Sequence, residues 1–364
     1  MPRHELLIGA GEFWARASAD IAAARRRVLV QAMTFEGDAV GLEVAAAIQA
    51  SAAPLRRVAV DDYTRWVVND RWVHTRRARR DEALQVEVRA TSAMFARLEA
   101  AGVEVVWTAP VRRLWRDYPF RDHRKVIVAD DVAYIGGINF SDHNFAWPDL
   151  MVRIARGEVA DRLAQDFPSA EQAAAGGWRA DFDGLSLYRM DGRRNAGAFT
   201  TLASHLDAAC EEIVVASPYL SFPFTDGLVR AHRRGVRVSV LTPQANNKPI
   251  LRRYIAGLAR REGFRLVQTP EMSHVKAVLI DDATVILGSS NFDFVSLEAE
   301  AEIVGVFTDQ ALAGELQRRL VEPALAQAVA HPAGGSGLPG ALAAAGLRLA
   351  HAYVRLLKLA RRAG

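Results

Sequence analysis

The sequence predicts an α/β fold made of two duplicated domains. Short β-branched runs alternate with helical patterns through residues 1–330, as is typical of layered α/β proteins. Each half of the chain has the same order of elements, which is helix, strand, helix, strand, helix, strand and hairpin. Two different sequences with one element order indicate a duplicated domain. We therefore expect a first domain at 1–176, a second domain at 177–330, and a separate C-terminal segment at 331–364.

In the first half, apolar residues at helical spacing predict helices around 13–26 and 41–50. Continuous β-branched runs predict strands at 28–32, 58–61 and 103–107, and a hairpin at 125–135 that turns at Asp130 and Asp131. An arginine-rich segment at 71–80 interrupts the alternation. It predicts either a solvated helix or an excursion of the chain over a functional site.

The second half repeats this arrangement. Helices are predicted around 198–209, 226–234 and 250–261, and strands at 213–216, 235–241 and 264–267. A hairpin follows at 275–287 and turns at Asp281 and Asp282. The two hairpins therefore occupy equivalent places in the duplicated order.

Composition narrows the class of partner and the compartment. The 364 residues carry a formal net charge of +4, and the calculated pI is about 9.4. This mild basic bias fits an anionic substrate, a membrane surface or nucleic acid. The single cysteine, Cys210, fits a reducing compartment. With no signal-peptide pattern and no apolar run long enough to span a bilayer, we expect a cytoplasmic protein whose membrane contact is peripheral.

The C-terminal segment reads as a linker followed by a helix. Glycine and proline residues predict a linker at 331–340, and a helical pattern runs through 341–362. One face of this helix carries Leu342, Leu349, Tyr353, Leu356 and Ala360. The opposite face carries Arg348, His351, Arg355, Lys358 and Arg362. Such a helix either lies in an anionic membrane interface or packs its apolar face on the protein body, and the sequence leaves both open.

The two hairpins carry one motif, His-x-Lys-x-x-x-x-Asp. The first copy is His123, Lys125 and Asp130, and the second is His274, Lys276 and Asp281. Each copy is followed by small residues and an asparagine, in Gly136-Gly137-Ile138-Asn139 and in Gly288-Ser289-Ser290-Asn291. Residues i and i+2 of a strand point to one side, so the histidine and the lysine of each copy share a face. Each hairpin thus offers an imidazole, an ammonium and an amide, and two such faces brought together would surround a phosphate.

The paired motif resembles that of the phospholipase D superfamily, and in particular its bacterial cardiolipin synthases. Gly136 to Asn139, Gly288-Ser289-Ser290-Asn291-Phe292-Asp293 and the downstream Trp147-Pro148-Asp149 carry this finer resemblance, which covers about residues 5–325. It implies two α/β sandwich domains related by a pseudo-twofold axis, with one site formed by both. It also implies chemistry without a metal or other cofactor.

The resemblance assigns roles to the motif residues. It implies His123 as nucleophile and His274 as general acid and base, with charge on the phosphoryl oxygens stabilised by Lys125, Lys276, Asn139, Asn291 and Ser289. Asp149 and Glu302 match the acidic positions that orient the histidines, with Glu298 and Glu300 as alternatives to Glu302 on the same predicted strand face. Within the motif, Asp130 and Asp281 are more suited to shaping the hairpin ends.

Two departures from the family pattern bear on these roles. The turn after Asp130 is one residue shorter than the turn after Asp281, which leaves the placement of Gly137 and Asn139 open. The N-terminal membrane hairpin of many cardiolipin synthases is not found in this sequence, so the C-terminal basic helix is a candidate for the membrane contact.

The expected function is therefore phosphodiester transfer on a phospholipid through a phosphohistidine. The two forms are a phosphatidyltransferase that uses phosphatidylglycerol and a phospholipase D, and both need the same residues. The alternative is a nuclease of the same superfamily that acts on DNA or RNA, which the modest net charge disfavours. We expect the chain to act as a monomer.

Overall fold

Residues 3–170, 176–327 and 338–362 are described in a computed structural model of the chain. They divide into two units, Met1–Gly176 and Gly177–Gly364. No helix among the described residues combines the length and the apolar character that crossing a membrane requires. The linker expected at 331–340 lies, for residues 331–337, outside the described residues.

The first unit is a mixed sheet with helices packed on it. Its strands are β1 (His4–Ile8), β2 (Arg27–Ala32), β3 (Leu55–Asp61), β4 (Val67–Val68), β5 (Arg71–Trp72), β6 (Glu104–Thr108), β7 (Val126–Ala129), β8 (Val132–Gly136) and β9 (Leu150–Ala155). Its helices are α1 (Ala10–Ala23), α2 (Ala39–Ala50), α3 (Glu82–Ala100), α4 (Leu114–Asp117), α5 (Asp142–Ala146) and α6 (Gly157–Gln165). Within residues 3–170, a sheet of seven strands has the order β1-β9-β8-β7-β2-β3-β6.

The core of this unit forms where apolar helix faces cover the sheet. Helix α1 buries Phe13, Ala17 and Ile21, which recur at helical spacing on one side. Phe13 packs edge-on against Tyr134 of β8 and stacks with Phe140. The arginine-rich segment at 71–80 does not form the predicted α-helix. It begins in the small hairpin of β4 and β5 and ends in a 3-10 turn at Ala78–Arg80, and Arg71 pairs with Asp81.

The second unit has the same architecture. Its strands are β10 (Trp178–Phe182), β11 (Leu185–Arg189), β12 (Glu212–Ala216), β13 (Arg237–Pro243), β14 (Arg265–Thr269), β15 (Ala277–Ile280), β16 (Thr284–Gly288) and β17 (Ile303–Phe307). Its helices are α7 (Ala196–Ala208), α8 (Phe224–Arg233), α9 (Pro249–Glu262), α10 (Phe294–Glu298), α11 (Gln310–Leu316), α12 (Glu322–Ala326) and α13 (Leu338–Arg362). Among residues 176–327, an eight-stranded sheet has the order β10-β11-β17-β16-β15-β12-β13-β14.

The two sheets share one strand order. In the first, β2, β3 and β6 are parallel and the hairpin β7–β8 runs beside β2. In the second, β12, β13 and β14 are parallel and the hairpin β15–β16 runs beside β12. The predicted α/β class and the repeated element order are therefore confirmed. The sequence-based prediction missed the outer strands β1, β9, β10, β11 and β17.

The C-terminal helix is present and belongs to the second unit. Helix α13 packs along α9 and also touches α10. The packed face carries Ala343, Leu347, Val354 and Leu357, each at most 7% exposed. This is a different face from the one that the sequence singled out.

A buried acidic cluster lies beside the end of β2 in the first unit. Glu36 is 1% exposed and accepts a hydrogen bond from the backbone amide of Asn69. Burial raises the pKa of Glu36 to about 9, and the neighbouring Glu87 carboxylate adds to this rise. The folded protein therefore holds Glu36 protonated at neutral pH.

We expect Glu36→Gln to remove a pH dependence of stability. Because the pKa is raised in the folded state, the stabilisation is complete below the ordinary pKa of glutamic acid and is lost as the pH rises through about 9. Glutamine imitates the protonated acid, so the variant should have the higher free energy of unfolding at pH 8 to 9. Urea titrations across the pH range measure this, with the exposed Glu99→Gln as the matched control. An offset from wild type that stays constant with pH would contradict the assignment.

Candidate active site

Each motif hairpin is held against a central parallel strand. Strand β7 runs antiparallel to β2, with Gln31 opposite Val126. Strand β15 runs antiparallel to β12, with Ala216 opposite Ala277. The residues just before β7 and β15 therefore lie at the carboxyl end of the central strand. That end is where ligand sites form in open α/β sheets.

The motif histidine and lysine of each unit are buried together at this edge. His123 is 5% exposed and His274 is 7% exposed, while Lys125 and Lys276 are almost fully buried. Lys125 Nζ donates a hydrogen bond to the carbonyl oxygen of His123, at 2.7 Å. Lys276 Nζ donates in the same way to the carbonyl oxygen of His274. Each ammonium is thus fixed beside the backbone of its own histidine, in the segment that directly precedes strand β7 or β15.

The short first turn does not displace the residues that follow it. In the first hairpin Ala129 pairs with Val132, whereas in the second Ile280 pairs with Thr284, so the missing residue is lost from the turn alone. Val126, which follows Lys125, pairs with Ile135, and Ala277, which follows Lys276, pairs with Leu287. Asn139 and Asn291 each follow that partner by four positions. The question that the sequence left open about Asn139 is settled by this common register.

The two asparagines are buried and held differently. The backbone amide of Thr34 donates to Asn139 Oδ1 at 3.1 Å. The carbonyl oxygen of this side chain is therefore used within the unit, and its amino group is the atom that can donate to a ligand. Asn291 is 6% exposed, and its Oδ1 is buried without a hydrogen-bond partner among the described residues. Ser217 Oγ donates to the backbone carbonyl of Asn291 at 3.2 Å.

The acidic residues Asp149 and Glu302 occupy equivalent places. The amide of Gly137 donates to the carbonyl of Leu150, and the amide of Ser289 donates to the carbonyl of Ile303. Asp149 and Glu302 directly precede these two acceptors, so they occupy equivalent positions. A Cβ on Gly137 would lie 2.4 Å from Asp149 Oδ1, which requires glycine there. Both carboxylates are buried, at 2% and 0% exposure.

Ser289 is engaged with Glu302, which corrects the expectation that it binds phosphate. Its hydroxyl donates to the Glu302 carboxylate and accepts from the amide of Ile303 at 3.0 Å. The one hydroxyl proton is therefore used within the unit. Ser289 orients Glu302, and we assign it no direct phosphate contact.

The alternatives to Glu302 lie elsewhere. The chain at 294–298 forms helix α10, capped by the Asp293 side chain on the amide of Ser296, so no continuous strand carries the three glutamates. Glu298 faces α13, where it pairs with Lys358 and His351. Glu300 is buried near Ser296, whose Oγ lies 2.7 Å from Glu302 and 3.2 Å from Glu300. The predicted shared strand face is therefore wrong.

The motif aspartates anchor the far end of each hairpin. The Asp130 carboxylate accepts hydrogen bonds from the backbone amides of 25, 26 and 27, and Asp281 accepts from the amides of 210, 211 and 212. Along a strand, five residues separate Asp130 from Lys125 by roughly 16 Å. The geometry favours the hairpin-shaping role over a catalytic one for both residues.

A network of buried ion pairs surrounds the first motif. Arg121 donates to Asp61 at 2.7 Å, and Arg124 donates to Asp122 through two nitrogens at 2.7 and 2.6 Å. Gln31 also donates to Asp122, at 2.8 Å. Burial raises the pKa of Asp61 to about 7, which the Arg121 guanidinium opposes. The network fixes the residues on both sides of His123, and these pairings were not predicted from the sequence.

An aromatic ring adjoins the second motif. Tyr219 lies edge-on to His274, with ring centroids 5.8 Å apart. The Tyr219 hydroxyl donates to Asn247 Oδ1 at 2.6 Å, and Lys248 Nζ lies 4.1 Å from the ring centroid. This contact places an aromatic edge beside the His274 ring.

Apart from the motifs, the first unit gathers three carboxylates. Glu36, Asp38 and Glu87 bring oxygens within 4.8 Å of one another. Backbone amides of Gly41 and Asp142 already bind Asp38. Since internal partners hold this cluster, we assign no ion to it.

We expect Asp130→Asn to destabilise the first unit by about 2 kcal/mol, because an amide nitrogen would face backbone donors. Burial acts to raise the pKa of Asp130, but the three amide bonds lower it overall, so the wild-type advantage should shrink as the pH falls through that lowered pKa. Chemical denaturation measures both effects. The neighbouring Asp131→Asn, on an exposed side chain, is the control and should change little. Equal losses from both substitutions would refute the anchoring role.

We expect Arg121→Met to cost about 3 to 5 kcal/mol in free energy of unfolding, because the buried Asp61 carboxyl group loses its counter-charge and a hydrogen-bond donor. The exposed pair of Arg26 and Asp131 provides the control, Arg26→Met, which should cost about 1 kcal/mol or less. Urea titration at neutral pH distinguishes them. A loss as small as that of the control would show that the network does not support this segment.

Comparison with known protein families identifies the second unit. Residues 202–322 match the family described as "Cardiolipin synthase, PLD-like domain". The chain is 25% identical over 337 residues to cardiolipin synthase B of Escherichia coli, covering 84% of this chain and 76% of that protein. It is 25% identical over 221 residues to the minor cardiolipin synthase ClsB of Bacillus subtilis, covering 56% of each. It is 26% identical over 254 residues to cardiolipin synthase A of Proteus mirabilis, covering 61% of this chain and 52% of that protein.

The chain thus spans about half the length of the latter two relatives and three quarters of the first. Among solved structures, phosphatidylserine synthase of Haemophilus influenzae aligns over 98% of this chain and 94% of its own, with a TM-score of 0.69 and 15% identity. Polyphosphate kinase of Porphyromonas gingivalis aligns over 96% of this chain and 55% of its own, with a TM-score of 0.56 and 13% identity. At such identities the likeness is one of fold, and one fold supports different reactions. Taken with the repeated motif, these matches show that the chain is similar to bacterial cardiolipin synthases and that residues 202–322 of its second unit match a phospholipase D-like domain.

Proposed function

We propose that this chain is a phosphatidyltransferase or phospholipase D that transfers a phosphodiester through a phosphohistidine intermediate. The observation that supports this most is a set repeated in both units. Each unit buries a lysine bonded to the carbonyl of its motif histidine, an asparagine at one fixed register, and a carboxylate directly before the adjoining strand. An incidental strand motif does not predict this set twice.

In the first step, a neutral imidazole attacks phosphorus and a P–N bond forms as the P–O bond to the leaving alcohol breaks. The second imidazole, protonated at the start, gives its proton to the leaving alkoxide. We assign His123 to the attack and His274 to the proton transfer. This division of roles follows the family resemblance.

In the second step, the now neutral His274 accepts a proton from an incoming alcohol or from water. The resulting oxygen nucleophile attacks phosphorus, and the P–N bond to His123 breaks. Transfer to a lipid alcohol gives a new phospholipid, whereas transfer to water gives phosphatidic acid. The difference between them is the exclusion of water and the binding of an acceptor.

The remaining residues stabilise charge and fix the rings. Lys125, Lys276, Asn139 and Asn291 would donate to the phosphoryl oxygens as charge develops there. Asp149 and Glu302 would accept from the second nitrogen of a histidine ring and so select its tautomer. In keeping with the family resemblance, the scheme uses no metal or other cofactor.

The names of the relatives direct the choice of substrate. Because several are cardiolipin synthases, we propose phosphatidylglycerol as the phospholipid and a second phosphatidylglycerol as the acceptor. Such a substrate lies in a bilayer, so the proposal includes peripheral contact with an anionic membrane from the cytoplasmic side. We propose that the chain works there as a monomer.

The test offers the purified full chain phosphatidylglycerol vesicles and, separately, DNA and RNA, with products identified by mass spectrometry. Cardiolipin with released glycerol supports the transferase, and phosphatidic acid supports the hydrolase. Cleaved nucleic acid with unchanged lipid would overturn both lipid activities and favour a nuclease.

His123→Ala and His274→Ala should each reduce turnover to the background rate, because one displacement needs both rings. Asp149→Asn and Glu302→Gln should lower kcat by a smaller factor, on the order of 10 to 100, as expected for residues that orient a catalytic ring. His205→Ala, a change at a histidine outside the motifs, serves as the control. Turnover that survives either motif substitution would refute the shared mechanism.

A further inference from the structure

Helix α13 packs tightly on the second unit through one of its faces. A Cβ placed on Gly340 would lie 2.8 Å from the Cα of Gly257 in α9, so the two backbones are in contact there. Leu347, Val354 and Leu357 continue this face and are 5% to 7% exposed. The helix is therefore seated on α9 over much of its length.

Charged and aromatic contacts fix the same helix to α10. Glu298, at the end of α10, accepts hydrogen bonds from His351 Nε2 at 3.2 Å and from Lys358 Nζ at 3.0 Å. The His351 ring also lies 5.3 Å from the ring of Phe294 and 5.4 Å from that of Phe222. These contacts attach the helix at points beyond its apolar face.

The outward face of α13 remains apolar. Its large side chains are Leu342, Leu349, Tyr353, Leu356 and Leu359, which are 64%, 74%, 47%, 65% and 59% exposed. At 100° per residue, the first four fall within an arc of about 60°. Ala345, Ala352 and Ala360 are exposed beside them. A continuous apolar stripe of this kind marks an interaction surface rather than scattered surface leucines.

The charges on the helix indicate what covers the stripe. Residues 338–362 carry five Lys or Arg and no Asp or Glu. Arg348 and Arg355 are exposed along one border of the stripe, about 100° from its centre. Arg355 is 65% exposed and also lies 3.7 Å from Glu298. A second copy seated face to face would bring these like charges together, which is unfavourable. A surface of anionic lipid headgroups over acyl chains complements both the leucines and the arginines.

We propose that the exposed face of α13, made of Leu342, Leu349, Tyr353, Leu356 and Leu359 with Arg348 and Arg355 at its border, docks on an anionic lipid surface while the helix stays seated on the second unit. This deepens the proposed function, on which it rests only for the location of the substrate. The helix acts as a fixed platform and not as a detachable anchor, because Glu298 and α9 hold its other face.

The place of α10 connects this platform to the second motif. Helix α10 begins three residues after Asn291, and its last residue is the Glu298 that binds α13. The docked helix is therefore joined by a short rigid segment to the asparagine that is proposed to bind phosphate. A lipid surface that meets α13 is held at a set position relative to His274 and Asn291 within this unit.

The test compares vesicle binding by full-length variants. Leu349→Gln, Leu356→Gln and Leu359→Gln are combined, and sedimentation is measured with vesicles of equal parts phosphatidylglycerol and phosphatidylcholine. Loss of three leucines from the interface should lower the partition coefficient by at least about tenfold. The combined change of Leu42, Leu55 and Val86 to Gln, at exposed apolar sites of the first unit, is the matched control and should leave binding unchanged. Arg348→Gln with Arg355→Gln should weaken binding only where phosphatidylglycerol is present and salt is low.

Further measurements separate the possible outcomes. Thermal unfolding of the triple variant should match that of wild type, because the three side chains are exposed. The single change Leu349→Gln should lower vesicle binding by an intermediate amount. Wild-type partition of the triple variant would overturn the proposal. The proposal would also be overturned if the wild-type chain binds no vesicles and forms a dimer that the triple substitution abolishes. That result would assign the face to self-association. His123→Ala should bind vesicles as wild type does, because the change lies outside α13. If the wild-type chain binds vesicles but forms no lipid product, the proposed function is rejected and the proposed lipid-binding surface is kept.

Discussion

The antiparallel pairing of each motif hairpin with a central parallel strand is the constraint on which the candidate site depends. Because β7 runs opposite to β2, the residues that enter β7 must lie where β2 and its parallel neighbours end. The motif aspartate holds the other end of the hairpin to the start of the same strand through three backbone amides. The position of His123 and Lys125 along the sheet is thus fixed at both ends, and the second unit repeats the arrangement.

Burial makes these residues depend on internal partners, and the two units meet that demand in different ways. In the first unit Gly137 makes room for the Asp149 carboxylate, while in the second the Ser289 hydroxyl bonds to Glu302. The first motif is flanked by buried ion pairs, whereas an aromatic ring adjoins the second. A common backbone frame therefore permits different local partners in the two units.

The sequence predicts the frame better than its details. Element order and the equivalent places of Asp149 and Glu302 follow from strand periodicity and repetition, which act locally. The alternation expected through Glu298, Glu300 and Glu302 failed because α10 is one short turn, too brief to leave a periodic signal. The use of Ser289 by Glu302 and the pairing of Arg121 with Asp61 escaped prediction, since their partners lie far apart in sequence.

The C-terminal helix shows why one apolar stripe in a sequence does not identify the buried face. Its leucines and alanines cover two adjacent sides, and the side at 343, 347, 354 and 357 is the one that packs. The stripe that stands out in the sequence is the one left exposed. A helix that needed only to pack would gain nothing from leucines on its outer side, where polar residues cost less. The exposed leucines and the clamp at Glu298 therefore belong together, because a fixed helix keeps its outer stripe aimed in one direction.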